Sequence, residues 1–294
     1  MTIPKIATYP MPEPAALPSN RVDWRVDPRR AVLLVHDMQS YFMDFFDASA
    51  APVPTLIEHI ARLRQACDVA QVPVVYTAQP GEQSPAQRGL LQDWWGPGIT
   101  ARPERAPVVD PLTPREQDVV LTKWRYSAFV RSDLRERMQT QGRDQLIVCG
   151  VYAHIGCMLT TADAFMNDIQ PFFVGDAVAD FSAEQHAMAL NYVSQRCGMV
   201  LSTHQIIQAL TPPQGALPPS LDALREEVAT LLQMPASDLR PDDNLLDLGL
   251  DSIRLMTLVE RWRAADPRIT FVVLAEQATL QAWWRLLSSQ HEGI

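Results

Sequence analysis

The sequence predicts an α/β fold: a doubly wound, mostly parallel, six-stranded Rossmann-like sheet, followed by a small all-α four-helix domain. Three observations carry this expectation. Short, wholly apolar runs such as AVLLV at 31–35 alternate with stretches that are apolar at helical spacing, and strands apolar on both faces belong to parallel sheets covered by helices. At 211–220 the chain reads TPPQGALPPS, whose prolines deny backbone donors and favour an extended linker. Beyond that seam the apolar periodicity is helical alone. The chain therefore divides into domains at 1–210 and 221–294, joined by a proline-rich linker at 211–220.

The strands expected are Ala31–Val35, Val72–Thr77, Asp118–Thr122, Gln145–Cys149, Pro171–Val174 and Met199–Ser202. Between them, helical spacing marks Leu56–Ala70, Ala86–Trp94, Ala128–Thr140, Gly156–Asp168 and Ser182–Arg196. After the seam, Leu221–Leu232, Ser252–Ala264 and Leu280–Ser288 read as amphipathic helices, with a short element near Val272–Glu276. Ile253, Met256, Val259 and Trp262 would hold the middle helix on its core.

Composition narrows the function classes. A net charge of −9 and no basic cluster argue against a nucleic-acid partner. No apolar run approaches bilayer length, and the opening MTIPKIATYPMPEP has no signal-like core, so a cytoplasmic, membrane-free protein is expected. Cys67, Cys149, Cys157 and Cys197 are scattered, without metal-ligand spacing, and read as reduced thiols. His36 and His154 lack a third ligand, so no metal is expected. The GxGxxG fingerprint and the P-loop are both missing.

Ligands of open α/β sheets bind beyond the carboxyl ends of the strands. That rule selects His36-Asp37-Met38-Gln39, Ala78-Gln79-Pro80, Lys123-Trp124-Arg125-Tyr126 and Gly150 to Cys157. A carboxylate, a lysine, a tyrosine and a helix start near Gly156, with N–H groups free for an anion, would converge at one rim.

Together LLVHDMQSYF at 33–42, YTAQPGEQ at 76–83, WWGPG at 94–98, TKWRYSAF at 122–129 and GVYAHIGCMLTTADAF at 150–165 resemble the isochorismatase-like (cysteine hydrolase) superfamily across essentially all of 1–208. The resemblance implies hydrolysis of the enolpyruvyl vinyl ether of isochorismate to 2,3-dihydro-2,3-dihydroxybenzoate and pyruvate. It places Asp37 and Lys123 in the family's catalytic positions and sets Gly156, not Cys157, where the amidohydrolases carry their nucleophile. Gly156 would leave room where a thiol would sit. Vinyl-ether hydrolysis needs a proton on carbon rather than a nucleophile, which suits Asp37 as general acid. Burial would raise its proton affinity and Lys123 would lower it, a conflict the sequence leaves open. By the same resemblance Phe42, Gln79, Arg88, Trp95, Tyr126 and Tyr152 would bind substrate, and a cis peptide is expected near Val151-Tyr152. The alternative is a cysteine amidohydrolase acting through Cys157, with a helical module that carries nothing.

The segment LLDLGLDSIR at 245–254 resembles the signature of acyl, peptidyl and aryl carrier proteins, with Ser252 as the attachment point for 4'-phosphopantetheine. Asp238, Asp242, Asp243, Asp247 and Asp251 make its approach acidic. The fusion implies an aryl carrier protein of siderophore synthesis. Its partners would be a phosphopantetheinyl transferase, an adenylate ligase activating 2,3-dihydroxybenzoate, and the condensation or cyclisation domains of a nonribosomal peptide synthetase. Met256 and the 271–275 stretch are the implied docking positions. A homo-oligomer is left open.

Overall fold

The computed structural model describes residues 3–211, 217–232 and 234–288. The chain divides into two compact units, Met1–Thr211 and Pro212–Ile294. Of the expected linker, positions 212–216 lie outside the described residues.

The first unit is built on six strands: β1 (Ala31–His36), β2 (Val74–Ala78), β3 (Val119–Thr122), β4 (Gln145–Val151), β5 (Gln170–Ala179) and β6 (Met199–Leu201). They lie in the order β3-β2-β1-β4-β5-β6, and every pairing is parallel. The order reverses between β1 and β4, which opens a crevice at the carboxyl ends of those strands. Helices of this unit are α1 (Ser40–Met43), α2 (Val53–Val69), α3 (Pro85–Arg88), α4 (Leu90–Trp95), α5 (Leu134–Thr140), α6 (Met158–Met166), α7 (Ala183–Arg196) and α8 (Thr203–Leu210).

Strand alternation sorts the core. Leu33 and Val35 pack with Leu56, Ile60 and Leu63 of α2 and Ile206 of α8, while Val32 and Leu34 face Leu134 of α5, Ala164 of α6 and Leu190 and Val193 of α7. Both faces of β1 are thus covered, which is why the run is apolar throughout.

Several boundaries differ from expectation. The stretch 86–94 is two short helices, because Gly89 adopts φ 55° and breaks the ladder. The helix expected from Ala128 begins only at Leu134; before it, side chains compete for the backbone, with Thr160 Oγ1 accepting the Ala128 N–H and Ser132 Oγ donating to the Ala128 carbonyl. β5 runs on past Val174 to Ala179, rejoining β4 after a bulge. Helix α8 was not among the elements expected, although Ser202 and Gln205 form its capping box.

The second unit contains α9 (Leu221–Leu232), α10 (Ser252–Arg263), α11 (Phe271–Glu276) and α12 (Leu280–Ser288). Its core joins Leu224, Val228, Leu258, Leu280 and Leu287 to an edge-to-face pair of Trp262 and Trp283, 5.9 Å apart. The expected core face of α10 needs correction. Leu255, Leu258, Val259 and Trp262 are buried, whereas Ile253 is 79% and Met256 42% exposed. The inward stripe follows the i, i+3, i+4, i+7 rule from Leu255 and leaves Ile253 and Met256 outside it. Among the described residues of the chain, no helix is long and apolar enough to cross a membrane.

Candidate active site

The crevice is floored by residues just past the strand ends. After β1 ends at His36, Asp37 takes a left-handed backbone conformation, φ 49°, which asparagine and aspartate tolerate better than other side chains. In the register, His36 lies opposite Thr77 of β2. Thr77 Oγ1 accepts the Asp37 backbone N–H at 3.1 Å and donates to Asp37 Oδ1 at 2.6 Å. The other carboxylate oxygen accepts from Lys123 Nζ at 3.0 Å. Lys123 follows β3 directly and is held by its own N–H, which donates to the Ala78 carbonyl. Asp37 and Lys123 are both buried.

The conflict over the carboxyl's proton affinity resolves in one direction. Burial pushes it up, but the Lys123 ammonium and the hydrogen bonds from Thr77 and Lys123 outweigh burial and hold Asp37 below the ordinary carboxylate range. Burial and then Lys123 push His36 down to about 4, so its ring is uncharged at neutral pH. In the ligand-free cleft Asp37 is therefore a carboxylate, paired with the lysine.

All nine residues singled out for this unit line the same cleft: Asp37, Lys123, Gly156, Phe42, Gln79, Arg88, Trp95, Tyr126 and Tyr152. Trp95 Nε1 donates to the Tyr126 hydroxyl at 2.8 Å. The Tyr152 hydroxyl donates to the Phe42 carbonyl at 2.8 Å, and the two rings meet edge to face. The Val151-Tyr152 peptide is cis. Gln79 is fixed through its backbone: its N–H donates to Gln39 Oε1 at 2.7 Å, and Gln39 Nε2 donates back to its carbonyl at 2.9 Å.

Arg88 is the second buried cation lining this cleft. It is 3% exposed, its Nε donates to the Gly96 carbonyl, and its Nη1 has no partner among the described residues. No carboxylate among them forms an ion pair with it. A buried guanidinium without a counter-charge is costly unless an anion is brought to it, and its donor fork matches a carboxylate.

Two expectations about the helix start change. The helical turn begins at Ala153 as a widened π-type turn, three residues before Gly156, and its His154 N–H is taken by Asp180 at 2.6 Å. Nor does Gly156 leave an empty space: the His36 ring fills it, and a Cβ at 156 would stand 2.7 Å from Nε2 and 3.0 Å from Nδ1. Cys157 does not line the cleft. It is fully buried in the opposite core layer, and burial raises its thiol well above the ordinary range. Among the described residues no three His, Cys, Asp or Glu side chains gather as a metal site.

Thr77, Tyr41 and Phe181 were missed as site residues. Thr77 carries a sequence signal, a lone hydroxyl late in an apolar strand. Phe181, 4.6 Å from Tyr152 and 6.3 Å from Trp95, arrives through the extension of β5 and carries none.

An all-parallel sheet with a buried acid–lysine pair beside its switch point defines a doubly wound α/β unit with a ligand cleft, and a separate helical unit follows it in the chain. The chain belongs to the isochorismatase family: the isochorismatase domain matches residues 31–205. A phosphopantetheine attachment site domain matches 222–287. The chain is 50% identical over 290 residues to enterobactin synthase component B of Escherichia coli (strain K12), covering 99% of each. It is 47% identical over 305 residues to the isochorismatase of Bacillus subtilis (strain 168), covering 100% of this chain and 98% of the relative. A cysteine hydrolase structure from Pseudomonas syringae pv. phaseolicola superposes with TM-score 0.58 over 66% of this chain and 97% of its own, at 24% identity; that likeness bears on the fold alone. The large unit is an isochorismatase-type hydrolase, and the small one a phosphopantetheine carrier domain.

Proposed function

We propose that the cleft hydrolyses the vinyl ether of isochorismate to 2,3-dihydro-2,3-dihydroxybenzoate and pyruvate, with Asp37 as the general acid. The observation that carries this reading is a buried carboxyl paired with Lys123 in a cleft that, among the described residues, presents an arginine without an ion-pair partner and is lined by no thiol. Substrate carboxylates drawn to Arg88 and Lys123 offset the lysine's hold on Asp37, whose proton affinity then rises until it takes a proton from solvent. Asp37 delivers that proton to the terminal CH2 carbon. The resulting oxocarbenium ion adds water, the water's surplus proton returns to Asp37, and the hemiketal splits into alcohol and pyruvate. Phe42, Trp95, Tyr126 and Tyr152 wall the cleft and Gln79 offers an amide; we assign them to substrate binding. Lys123 positions the acid and meets a carboxylate. Gly156 supplies close-packed wall rather than chemistry.

We further propose that Ser252 carries 4'-phosphopantetheine. The fit is physical: Ser252 is exposed and opens α10, whose N-cap, Asp251, accepts the Arg254 N–H at 2.8 Å, and a phosphodiester at a helix start meets the positive end of the dipole. The arm supplies a thiol for an acyl thioester. Ile253 and Met256 are exposed just after that serine on α10, and Val272 and Val273 are exposed on α11, which packs against α10; this apolar surface is suited to docking. We assign as partners the transferase, the 2,3-dihydroxybenzoate-activating ligase and the synthetase's condensation or cyclisation domains, in a cytoplasmic setting that fits four free thiols.

A coupled pyruvate assay with isochorismate, chorismate and a simple amide side by side tests the first proposal. Pyruvate from isochorismate is expected; ammonia from the amide in its place would sink it. Mass gain on Ser252 after incubation with coenzyme A and a transferase tests the second.

A further inference from the structure

Within the cleft, His36 is enclosed in a way the proposed proton transfer does not require. Two glycines of β4 and the turn after it stand against it. A Cβ at Gly150 would overlap the His36 backbone, falling 2.8 Å from its nitrogen and 2.9 Å from its carbonyl carbon, and a Cβ at Gly156 would overlap its ring. The ring is 1% exposed, and its two nitrogens face two backbone carbonyls: Val151 O lies 2.8 Å from Nδ1, and Tyr126 O lies 3.4 Å from Nε2. A neutral imidazole has a single N–H, and the nearer carbonyl takes it, so Nδ1–H donates to Val151 and Nε2 keeps its lone pair. Nδ1 is also 3.7 Å from Asp37 Oδ2, too far to replace Lys123 as that oxygen's donor. One uncharged ring thus touches the carbonyl preceding Tyr152, the backbone of Tyr126 and the neighbourhood of the acid.

We propose that His36 is a positioning residue that fixes the Val151–Gly156 turn against Asp37, and that Gly156 is glycine because the imidazole occupies the volume its side chain would need. The two positions form one steric unit. A side chain at 156, a cysteine nucleophile included, must displace the ring, and displacing the ring frees the Val151 carbonyl and shifts the wall that holds substrate over Asp37. The proposal rests on the isochorismatase reading of the cleft and adds a reason why position 156 carries no thiol.

A double-mutant cycle tests it, reading kcat and KM for isochorismate together with the thermal midpoint of each full-length variant. Gly156→Ala is expected to lower kcat about 100-fold with a much smaller change in KM, a misplacement effect. His36→Asn keeps an amide N–H for Val151 and removes ring volume; it should cost about tenfold, in keeping with a role short of proton transfer. In the His36→Asn background, Gly156→Ala should then cost no more than about threefold, the non-additivity of residues in contact. If Gly156→Ala alone fails to fold, recovery of a cooperative melt in the double variant is the supporting result. Equal losses from Gly156→Ala in both backgrounds, in kcat and in melting alike, would overturn the proposal, as would a fully active Gly156→Ala. Absence of pyruvate from the unmodified protein would sink the isochorismatase reading instead, and the melting cycle would still decide the pairing of His36 with Gly156.

Discussion

The two units present the side chains we assign as reactive in opposite ways. Asp37 is 6% exposed, gripped by Thr77 and Lys123, and its ionisation is set by what surrounds it. Ser252 is exposed, and apolar Ile253 and Met256 beside it also face solvent. A group that must change a proton's affinity gains from a dry, charged enclosure. A group that must be handed between large enzymes gains from standing where they can reach it. The hydrolase unit accordingly uses a six-stranded sheet, its covering helices and long-range register to place two side chains, whereas the carrier unit places its serine at the start of one capped helix on a small core.

The sharpest break between the units is chemical separability. Ser252→Ala should abolish phosphopantetheine labelling outright while leaving pyruvate release at the unmodified rate, read by intact mass and by the coupled assay on one sample. Labelling that persists would move the attachment point elsewhere. Loss of pyruvate release along with the label would tie the hydrolase to the carrier serine.

Asp37→Asn should reduce kcat about 10³-fold, within the range for removal of a general acid, and leave Ser252 labelling intact. A variant within tenfold of the unmodified enzyme would remove Asp37 from the proton path.

A smaller effect, tenfold at a time, comes from pH. Because Asp37 sits below the ordinary carboxylate range in the free cleft, the free enzyme is unprotonated there at neutral pH and must gain one proton to reach the transition state. The value of kcat/KM should therefore fall about tenfold per unit as pH rises from about 6 to 8. A flat profile over that span would show that the proton is not taken up by this carboxylate. The stability linkage runs the other way with pH: a carboxyl with a depressed folded value stabilises above its unfolded value and loses that contribution as pH falls through the folded one.

Much of this was legible in the sequence because burial on both faces writes itself into a strand. AVLLV predicts β1, and the rule that ligands gather at strand ends then collects Asp37, Gln79, Lys123 and Gly156 without any contact being known. Element ends were less legible. Gly89 breaks a helix that periodicity would continue, and β5 runs on through Gly175, whose backbone packs closely against Leu17 and Val200. The partners of the site residues were the least legible. Thr77 reaches Asp37 through register, Phe181 through a strand that runs five residues further at its carboxyl end than expected, and the His36–Gly156 fit through a close approach between β1 and a turn beyond β4. The face of α10 was misjudged for a related reason: Ile253 is as apolar as Leu255, and only packing tells which of them is inside.

The smallest expected effect discriminates best between acid and nucleophile. Cys157 adjoins the glycine at the nucleophile's position, yet it is fully buried among Leu134, Ala164 and Val178 in the layer away from the cleft, with its thiol held protonated by burial. Cys157→Ala should leave kcat and KM for isochorismate within about threefold, since no reacting atom loses a partner. It should still be felt in the melt, because deleting a packed sulfur leaves a small void costing on the order of 1 kcal/mol. The pairing of those two readings is what matters. An enzyme destabilised but active places the sulfur in the core, whereas one as inactive as Asp37→Asn with an unchanged melt would require the thiol to reach substrate, and the proton-on-carbon route would fall with it.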